Sequence, residues 1–507
     1  TATSALDNHS QAGFERRRLV RIELLQRLRR RPVLADEHPL TLDLAIAETA
    51  LTDLIDLEQF GFGRFSYRDH RPYAIDPYSG IWIEGPNQLA FRQSINTAVD
   101  ASAYLVRLHG LSEALHDTRR RLVADRAAGI YLPLELARET QDRLRNIVSE
   151  DPTALSRLVS TFEALMRDVP DLEPGEGEMM LQLVRNEVDL VLRPAYLDLI
   201  ETLSETSDDF ADQVGIWALP DGTAVFGHIL DAATGTSVNS ETLHTRFAER
   251  TVRQKQMLED LLVVAAATEG EDPPMPPEAL AERIDWFVVA NTDPATEIEA
   301  ATDINAPDML SDLAPKLVWE RLAVHSSFPS QARAWQRYVD LFSATPYLAW
   351  IPGSDLPEHR QVLEFIAIQD AIKWYLWETS AIAATPLDYV AHVQTTLIQQ
   401  ALATADTGLH LERWSLEEAT NYLVEMTGLA PETSQDLVLS VIARPGFHAA
   451  TAVAHGRVNT LAERARAVLG ERYVELDFQR ALLRPGPRPL PILERDIETW
   501  YADQLAN

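Results

Sequence analysis

The sequence of 507 residues contains no cysteine. This absence excludes disulfides, thiolate zinc sites, iron–sulfur clusters and cysteine nucleophiles. Lysine is nearly absent too, with only Lys255, Lys316 and Lys373, so almost all basic charge is arginine. Acidic residues outnumber basic residues by 77 to 45, which gives a formal net charge of −32. Because nucleic-acid phosphates need Lys and Arg to neutralise them, this balance indicates that the chain does not bind nucleic acid.

Long apolar runs are also missing. No run reaches the roughly 18 residues that a membrane-spanning helix needs. The longest candidates, such as LLVVAAA at 261–267, are short and flanked by charge. The first residues, TATSALDNHS, hold neither an initiator methionine nor the apolar core of a signal peptide. We therefore expect no membrane span and a cytoplasmic protein, either a monomer or a homodimer.

Motifs for common cofactors and for serine hydrolases are absent from the sequence. It has no Gly-x-Gly-x-x-Gly, no Walker loop and no Gly-x-Ser-x-Gly. We therefore expect no cofactor and no Ser-His-Asp triad.

Helical periodicity dominates what is present. It predicts helices over 153–169, 177–203, 246–267, 363–383, 387–406 and 415–428. The last of these starts with a capping box, Ser415 to Glu418, and ends at Gly428. Strand patterning is confined to GIWIE (80–84) and VGIWALPDGTAVFGHIL (214–230), and the latter predicts a hairpin around its Pro-Asp-Gly turn. The sequence therefore predicts a mainly α fold with a small β-hairpin element.

An acidic, proline-rich stretch near mid-chain, EGEDPPMPPEA at 269–279, marks a boundary. We predict an amino-terminal helical half with the hairpin over 1–268. A loop follows over 269–285, and a carboxyl-terminal helical half covers 286–507.

Several blocks, in a fixed order, resemble those of one bacterial family. The early blocks are RPYAIDPYSGIWIE and ASAYLVRLHGLSEALHDTRRRLVADRAAGIYLP; the middle ones are RPAYLDLIETL, GIWALPDGTAVF and NSETLHTRF; the late ones are ATADTGLHLERWSLEEATNYL and LGERYVELDFQRALLRPGPRPLPILERDIETW. They are similar to the family called domain of unknown function 885 (DUF 885), whose members are helical, zinc-peptidase-like proteins. The resemblance covers nearly the whole chain. It implies a metallopeptidase-like helical clamshell whose halves flank a deep central cleft.

The family's metal-binding block is altered. Typical members carry His-Glu-x-x-Pro-Gly-His-His, in which the Glu would be the general base and the histidines would be ligands. The aligned run here is HSSFPSQA, which keeps His325 and Pro329. The base position is Ser326, and the later histidine positions are Gln331 and Ala332.

The other chemistry blocks are altered as well. The family's Glu-Gly-Trp-Ala-x-Tyr-x-Glu aligns with AIKWYLWE, so the first Glu is Ala371 and only Glu378 remains. A Pro-Gly-Gln…Tyr element is Pro-Gly-Phe447…Thr451 here, and Phe-His-Asp is Phe-Gln-Arg at 478–480. Because zinc needs three protein ligands and an activated water, one histidine cannot hold it, and we expect no metal at the family site.

The helix that carries Glu378 offers two sets of candidates. Trp374, Tyr375 and Glu378 lie on the face that the family would turn toward its metal, and they suit a small aromatic or cationic molecule or acid–base work. Core packing is the alternative for the two aromatics. Lys373 lies on another face. It is either a desolvated lysine that acts in the cleft or a solvated residue paired with Asp370.

His325 stands at the family's first ligand position. It is either a hydrogen-bonded structural residue or a metal-free acid–base group, with Arg321 one turn earlier on the same face. Asp406 and His410 are expected on a loop before a capped helix, where the carboxylate orients the histidine or, as we favour, forms a structural clasp.

Two later histidines, His448 and His455, are seven residues apart and share one face if their segment is helical. Together with His325 they could form a relocated metal site.

We therefore predict a repurposed, metal-independent enzyme that acts on a small organic or peptide-like substrate in natural-product biosynthesis. Cyclisation, isomerisation, elimination and condensation are the candidate reactions. The alternatives are a catalytically dead pseudopeptidase that binds or regulates, and a hydrolase with a relocated metal. The predicted catalytic residues are His325, Lys373, Tyr375 and Glu378, and the predicted substrate-binding residues are Arg321, Phe328, Gln331, Trp374, Trp377, Phe447 and His448.

Overall fold

A computed structural model describes residues 8–32, 34, 40–66, 70–91, 93–149, 154–167, 169, 175–205, 213–268, 365–380, 386–483 and 486–506. Most of these residues are helical, and the predicted mainly α fold is confirmed. They group into two compact units. The first unit holds the described residues before Ile22 and those from Tyr73 to Gln213, and the second holds those from Ile22 to Pro72 and from Val214 onward.

The elements are as follows, in chain order. Up to residue 205 they are α1 (Gln11–Arg30), α2 (Thr41–Glu58), β1 (Arg64–Phe65), β2 (His70–Arg71), α3 (Ile81–Phe91), α4 (Ala98–Ala127), α5 (Leu134–Val148), α6 (Ala154–Met166), α7 (Glu176–Glu187), a π-helical turn (Val188–Leu192) and α8 (Arg193–Glu205). After it they are a 3₁₀ turn (Ile216–Ala218), α9 (Gly222–Thr234), α10 (Leu243–Thr268), α11 (Ile366–Ser380), α12 (Pro386–His410), α13 (Leu416–Thr427), α14 (Pro431–Ala443), α15 (Phe447–Leu469), a second 3₁₀ turn (Gly470–Arg472), α16 (Glu475–Leu483) and α17 (Leu490–Ala506).

The first unit is built from α3 to α8. Its longest helix, α4, starts at a capping box in which the Thr97 hydroxyl accepts the Asp100 N–H and the Asp100 carboxylate accepts the Thr97 N–H. Tyr104 on α4 is fully buried and donates its O–H to the Leu158 carbonyl of α6 at 3.0 Å. This bond satisfies the polar end of a large core side chain.

The second unit has one extended apolar core. Buried side chains of α2, α11, α15, α16 and α17 form a single cluster, which includes Ile46, Ile372, Leu376, Val458 and Phe478. Helix α12 packs against both α10 and α15 and is buried along the whole of 393–410. These contacts fix the relative positions of α10, α11, α12, α15 and α16, which carry the candidate site.

Each predicted helix is present in the described residues. The capping box before α13 is confirmed, because the Ser415 hydroxyl accepts the Glu418 N–H at 3.1 Å. Gly428 ends that helix with a left-handed φ of 75°. The segment predicted as one helix over 177–203 contains the π-helical turn at Val188–Leu192.

The two predicted strand segments are wrong. GIWIE lies in α3, where Trp82 is buried, because a short apolar run fits a helix turn as well as a strand. In 214–230 the turn signal is correct, since Asp221 adopts a left-handed φ of 52°. The apolar residues that follow, Val225, Phe226 and Ile229, are buried at helical spacing in α9. The small hairpin lies instead at β1 and β2, which pair antiparallel with Phe65 opposite His70.

The start of α9 depends on a glycine. A Cβ at Gly222 would lie 1.8 Å from the backbone oxygen of Ile216. We expect Gly222→Ala to lower the free energy of unfolding by more than about 2 kcal/mol, because a backbone atom cannot give way. Gly227→Ala in the same helix is the control, since its Cβ meets no atom within 4 Å. Alanine at position 227 should raise the free energy of unfolding by up to about 1 kcal/mol. Urea denaturation measures both, and equal stability of wild type and Gly222→Ala would contradict the close approach.

None of the described helices is by itself long and apolar enough to cross a bilayer. The pair 431–443 and 447–472 meets the length and composition requirement only jointly, and it is bent by 88° at its break.

Candidate functional site

A histidine–carboxylate pair joins α11 to α15 in the second unit. The His455 Nε2 atom lies 2.8 Å from Glu378 Oε2. The His455 side chain is 9% exposed and that of Glu378 is 27% exposed. The pair is therefore largely desolvated on the imidazole side and open to solvent on the carboxylate side.

The imidazole is held in place by a stacked indole. The Trp374 and His455 rings lie 3.9 Å apart with an interplanar angle of 3°. Trp374 and Glu378 are one helical turn apart on α11, so the same helix supplies the stacking surface and the carboxylate. The stack therefore fixes the plane of the His455 ring, which lies parallel to the indole.

A third polar group reaches the same ring nitrogen. The Asn459 amide, one turn after His455 on α15, lies 3.1 Å from His455 Nε2. The buried indole N–H of Trp374 has no hydrogen-bond partner among the described residues. The site thus combines a carboxylate, an imidazole, an amide and an unused donor.

The pair is chemically suited to proton transfer. A carboxylate and an imidazole at 2.8 Å can share one proton, and either group can give it to or take it from a third molecule. Neither group needs a metal for this chemistry.

Tyr375 lies beside the pair but is engaged elsewhere. It is fully buried, and its hydroxyl donates to Glu475 Oε1 at 2.6 Å and accepts from Arg466 at 3.2 Å. Burial and the Glu475 carboxylate raise the pKa of Tyr375 far above its usual value. The phenol therefore stays protonated, and its hydroxyl links α11, α15 and α16. Its predicted catalytic role stays a prediction.

Blocks that are far apart in sequence meet here. Gln479 of α16, at the family's histidine position, donates to the Thr379 hydroxyl of α11 at 2.9 Å. Its buried side-chain oxygen has no partner within the described part of the chain. Thr451, at the family's tyrosine position, lies one turn before His455 on α15.

Lys373 forms the ion pair expected of a solvated residue. Its ammonium lies 2.9 Å from Asp370, and both side chains are about a quarter exposed, at 27% and 25%. Trp377 belongs to α11, but its side chain is outside the described residues. The roles predicted for both residues stay predictions.

Phe447 and His448 begin α15. Burial and the nearby Arg444 lower the pKa of His448 to about 3, so this histidine is neutral. The Arg444 guanidinium stacks 3.6 Å above the Phe447 ring. Beside them lies a cavity of about 20 Å³, room for about one water. Its lining residues are His70, Ile229, Ala232, Ala233, Phe365, Ile366, Ala367, Arg444, Pro445 and Phe447.

The sequence predicted Asp406 and His410 on a loop. They lie instead in the last turns of α12. Residues 393–410 of this helix are all buried. The Asp406 carboxylate accepts the N–H groups of Gly446 at 2.8 Å and Ala449 at 2.9 Å. It therefore clasps the start of α15, which is the role that the sequence favoured.

The described residues do not fit the zinc that the family resemblance implies. The first glutamate position is Ala371, and His455 is the ion-pair partner of Glu378 among the described residues. Among the residues that the structure describes, no group of three His, Asp or Glu side chains is placed to hold a metal ion. The predicted residues Arg321, His325, Phe328 and Gln331 lie outside the described residues.

Sequence reasoning named Glu378, Trp374 and His455 but did not pair them. Asn459, Arg466 and Glu475 were missed altogether. The alignment of the 371–378 block with the family's metal face was the one signal that pointed to this place.

Comparisons with known proteins agree with the fold. Residues 2–314 and 375–497 match the family described as "Bacterial protein of unknown function (DUF885)". A crystal structure from Colwellia psychrerythraea is similar, with a TM-score of 0.75, 18% identity and coverage of 97% of this chain and 92% of that one. A structure from Shewanella oneidensis has a TM-score of 0.62, 11% identity and coverage of 97% and 93%. Both are described as a "putative lipoprotein". Among proteins with curated functions no match is found.

Proposed function

The chain belongs to the DUF885 family, and we propose that it uses this scaffold as a metal-independent acid–base enzyme. The observation that carries the proposal is the contact of 2.8 Å between His455 Nε2 and Glu378 Oε2, with the imidazole stacked on Trp374. An oriented, partly desolvated pair of an imidazole and a carboxylate is suited to general acid–base catalysis.

The loss of the family's metal chemistry supports this proposal. The family match is interrupted between 314 and 375, and the interval holds the altered His325 block and Ala371. The part of the motif that matches again keeps Glu378, and His455 gives this carboxylate a new partner. A carboxylate freed from a metal can then serve as a base.

The pair would move one proton within a small organic or peptide-like substrate. Glu378, the more exposed group, would take a proton from the substrate, and His455 would hold or return it. Such a single transfer suits isomerisation, elimination, cyclisation or condensation without hydrolysis. Natural-product biosynthesis is the setting we propose, because these reactions build or reshape small molecules.

The compartment and the assembly belong to the proposal as well. We propose a cytoplasmic monomer or homodimer. The two similar structures are described as "putative lipoprotein", so cell fractionation and size-exclusion chromatography of the native protein are the direct tests.

A metabolite screen tests the proposed function. Wild type and Glu378→Gln would each be incubated, with and without excess EDTA, in a small-molecule extract of the bacterium that encodes the chain. Mass spectrometry should find one compound consumed and one formed by wild type alone. No difference between the two proteins would favour a binding or regulatory pseudopeptidase. A conversion that EDTA abolishes would favour a hydrolase with a relocated metal.

A further inference from the structure

The rotation of α10 about its axis is fixed by two hydrogen bonds to α12. The Thr251 hydroxyl lies 2.9 Å from the Thr404 hydroxyl, and His244 Nδ1 lies 3.1 Å from the Thr407 hydroxyl. Since Thr251 faces α12, the preceding residue, Arg250, is turned by about 100° to another side of the helix.

On that side the Arg250 guanidinium reaches α15 at Gly456. A Cβ built on Gly456 would lie 3.3 Å from Arg250 Nη1 and 3.7 Å from Nη2, so the guanidinium rests against the glycine. Gly456 follows His455 directly. Asn459, which contacts His455 Nε2, is one turn further on and shares the face of Gly456.

The Arg250 charge is not compensated by the described residues. Arg246 and Arg250 have no ion pair within the part of the chain that the structure describes. Arg253 has only a loose contact of 3.8 Å with Glu249, and both of these side chains are more than 60% exposed. Burial and the charges of Arg246 and Arg253 lower the pKa of Arg250 from its usual value. Arg246, Arg250 and Arg253 thus lie on one stripe of α10 that has no buried carboxylate partner among the described residues.

We propose that Arg250, supported by Arg246 and Arg253, is an oxyanion-binding subsite that holds a carboxylate or phosphate group of the substrate. A guanidinium presents parallel N–H donors that match both groups. The flanking cations add electrostatic attraction for an anion. The role as a substrate subsite rests on the proposed function of the pair, whereas the binding of the anion does not.

Calorimetric titration of the full chain with succinate and with inorganic phosphate, at constant ionic strength, tests this subsite. We expect one of the two probes to bind wild type with a millimolar Kd, and that probe identifies the group. Arg250→Gln should weaken binding by at least about tenfold. Arg250→Lys should weaken it by less, because lysine keeps the charge but lacks the parallel N–H donors of the guanidinium. Arg480→Gln, which changes an exposed arginine paired with Asp477, should leave the Kd unchanged.

The outcomes separate this inference from the proposed function. Binding that Arg250→Gln weakens and Glu378→Gln leaves intact supports the subsite, even if no metabolite is ever converted. Absence of binding of both probes below about 50 mM would overturn it. The inference would also be overturned if Arg250→Gln bound the probe as tightly as wild type. An unchanged melting temperature would show that this variant is folded.

Discussion

Glu378→Gln is expected to lower kcat for the substrate found in the metabolite screen by at least about 100-fold. Glutamine has the size of glutamate and can still bond to His455, but it cannot take up a proton. The 2.8 Å contact and the stack on Trp374 should therefore remain while proton transfer is lost. KM should change little, because Glu378 acts on the reacting proton. Steady-state kinetics of the two proteins measure this effect.

Lys373→Met is the matched comparison for that measurement. Lys373 lies on the same helix, but its ammonium is paired with Asp370 at 2.9 Å. We expect this variant to keep kcat within about twofold, since the ammonium is held in a partly exposed ion pair away from the proposed proton transfer. A loss in Lys373→Met as large as in Glu378→Gln would assign the chemistry to lysine and contradict the role of the pair.

Asp406→Ala is expected to lower the free energy of unfolding by at least about 3 kcal/mol. The carboxylate is fully buried and accepts the N–H groups of Gly446 and Ala449. Without it, these two donors at the start of α15 are left without partners in a dry interior, and a cavity remains. The variant should therefore show a lower urea midpoint than wild type.

Asp477→Ala is the control for that effect. Asp477 forms an ion pair with Arg480, and its side chain is 52% exposed. We expect its removal to cost no more than about 0.5 kcal/mol. If Asp406→Ala lowered the free energy of unfolding as little as Asp477→Ala does, the hydrogen bonds of Asp406 would not be what stabilises the start of α15.

The fold could be predicted from the sequence wherever a helical pattern was long. Six segments, a capping box and the glycine that ends α13 were predicted correctly. The failures lie in short apolar runs. GIWIE and the run after Asp221 have five to eight apolar-rich residues, a length at which strand and helix patterns coincide. At Gly222 the backbone oxygen of Ile216 leaves no room for a Cβ, which would lie 1.8 Å from it, and no local pattern encodes this constraint.

The candidate site was only half predictable. Family resemblance placed Glu378 and Trp374 on one helix face, and helical spacing placed His448 and His455 on another. The contact between Glu378 and His455 spans 77 residues and depends on how α11 packs on α15. Arg250 is further still from His455 in sequence and is a typical surface arginine by pattern. Neither partnership leaves a signal in the spacing of residues.

The proposed proton transfer between Glu378 and His455 needs no metal. It is tested by kcat of one preparation before and after EDTA dialysis, with zinc, iron and manganese measured by mass spectrometry. We expect an unchanged kcat at less than about 0.05 metal ions per chain, since zinc catalysis needs one ion per site. A kcat that falls with metal removal and returns when zinc is restored would contradict it.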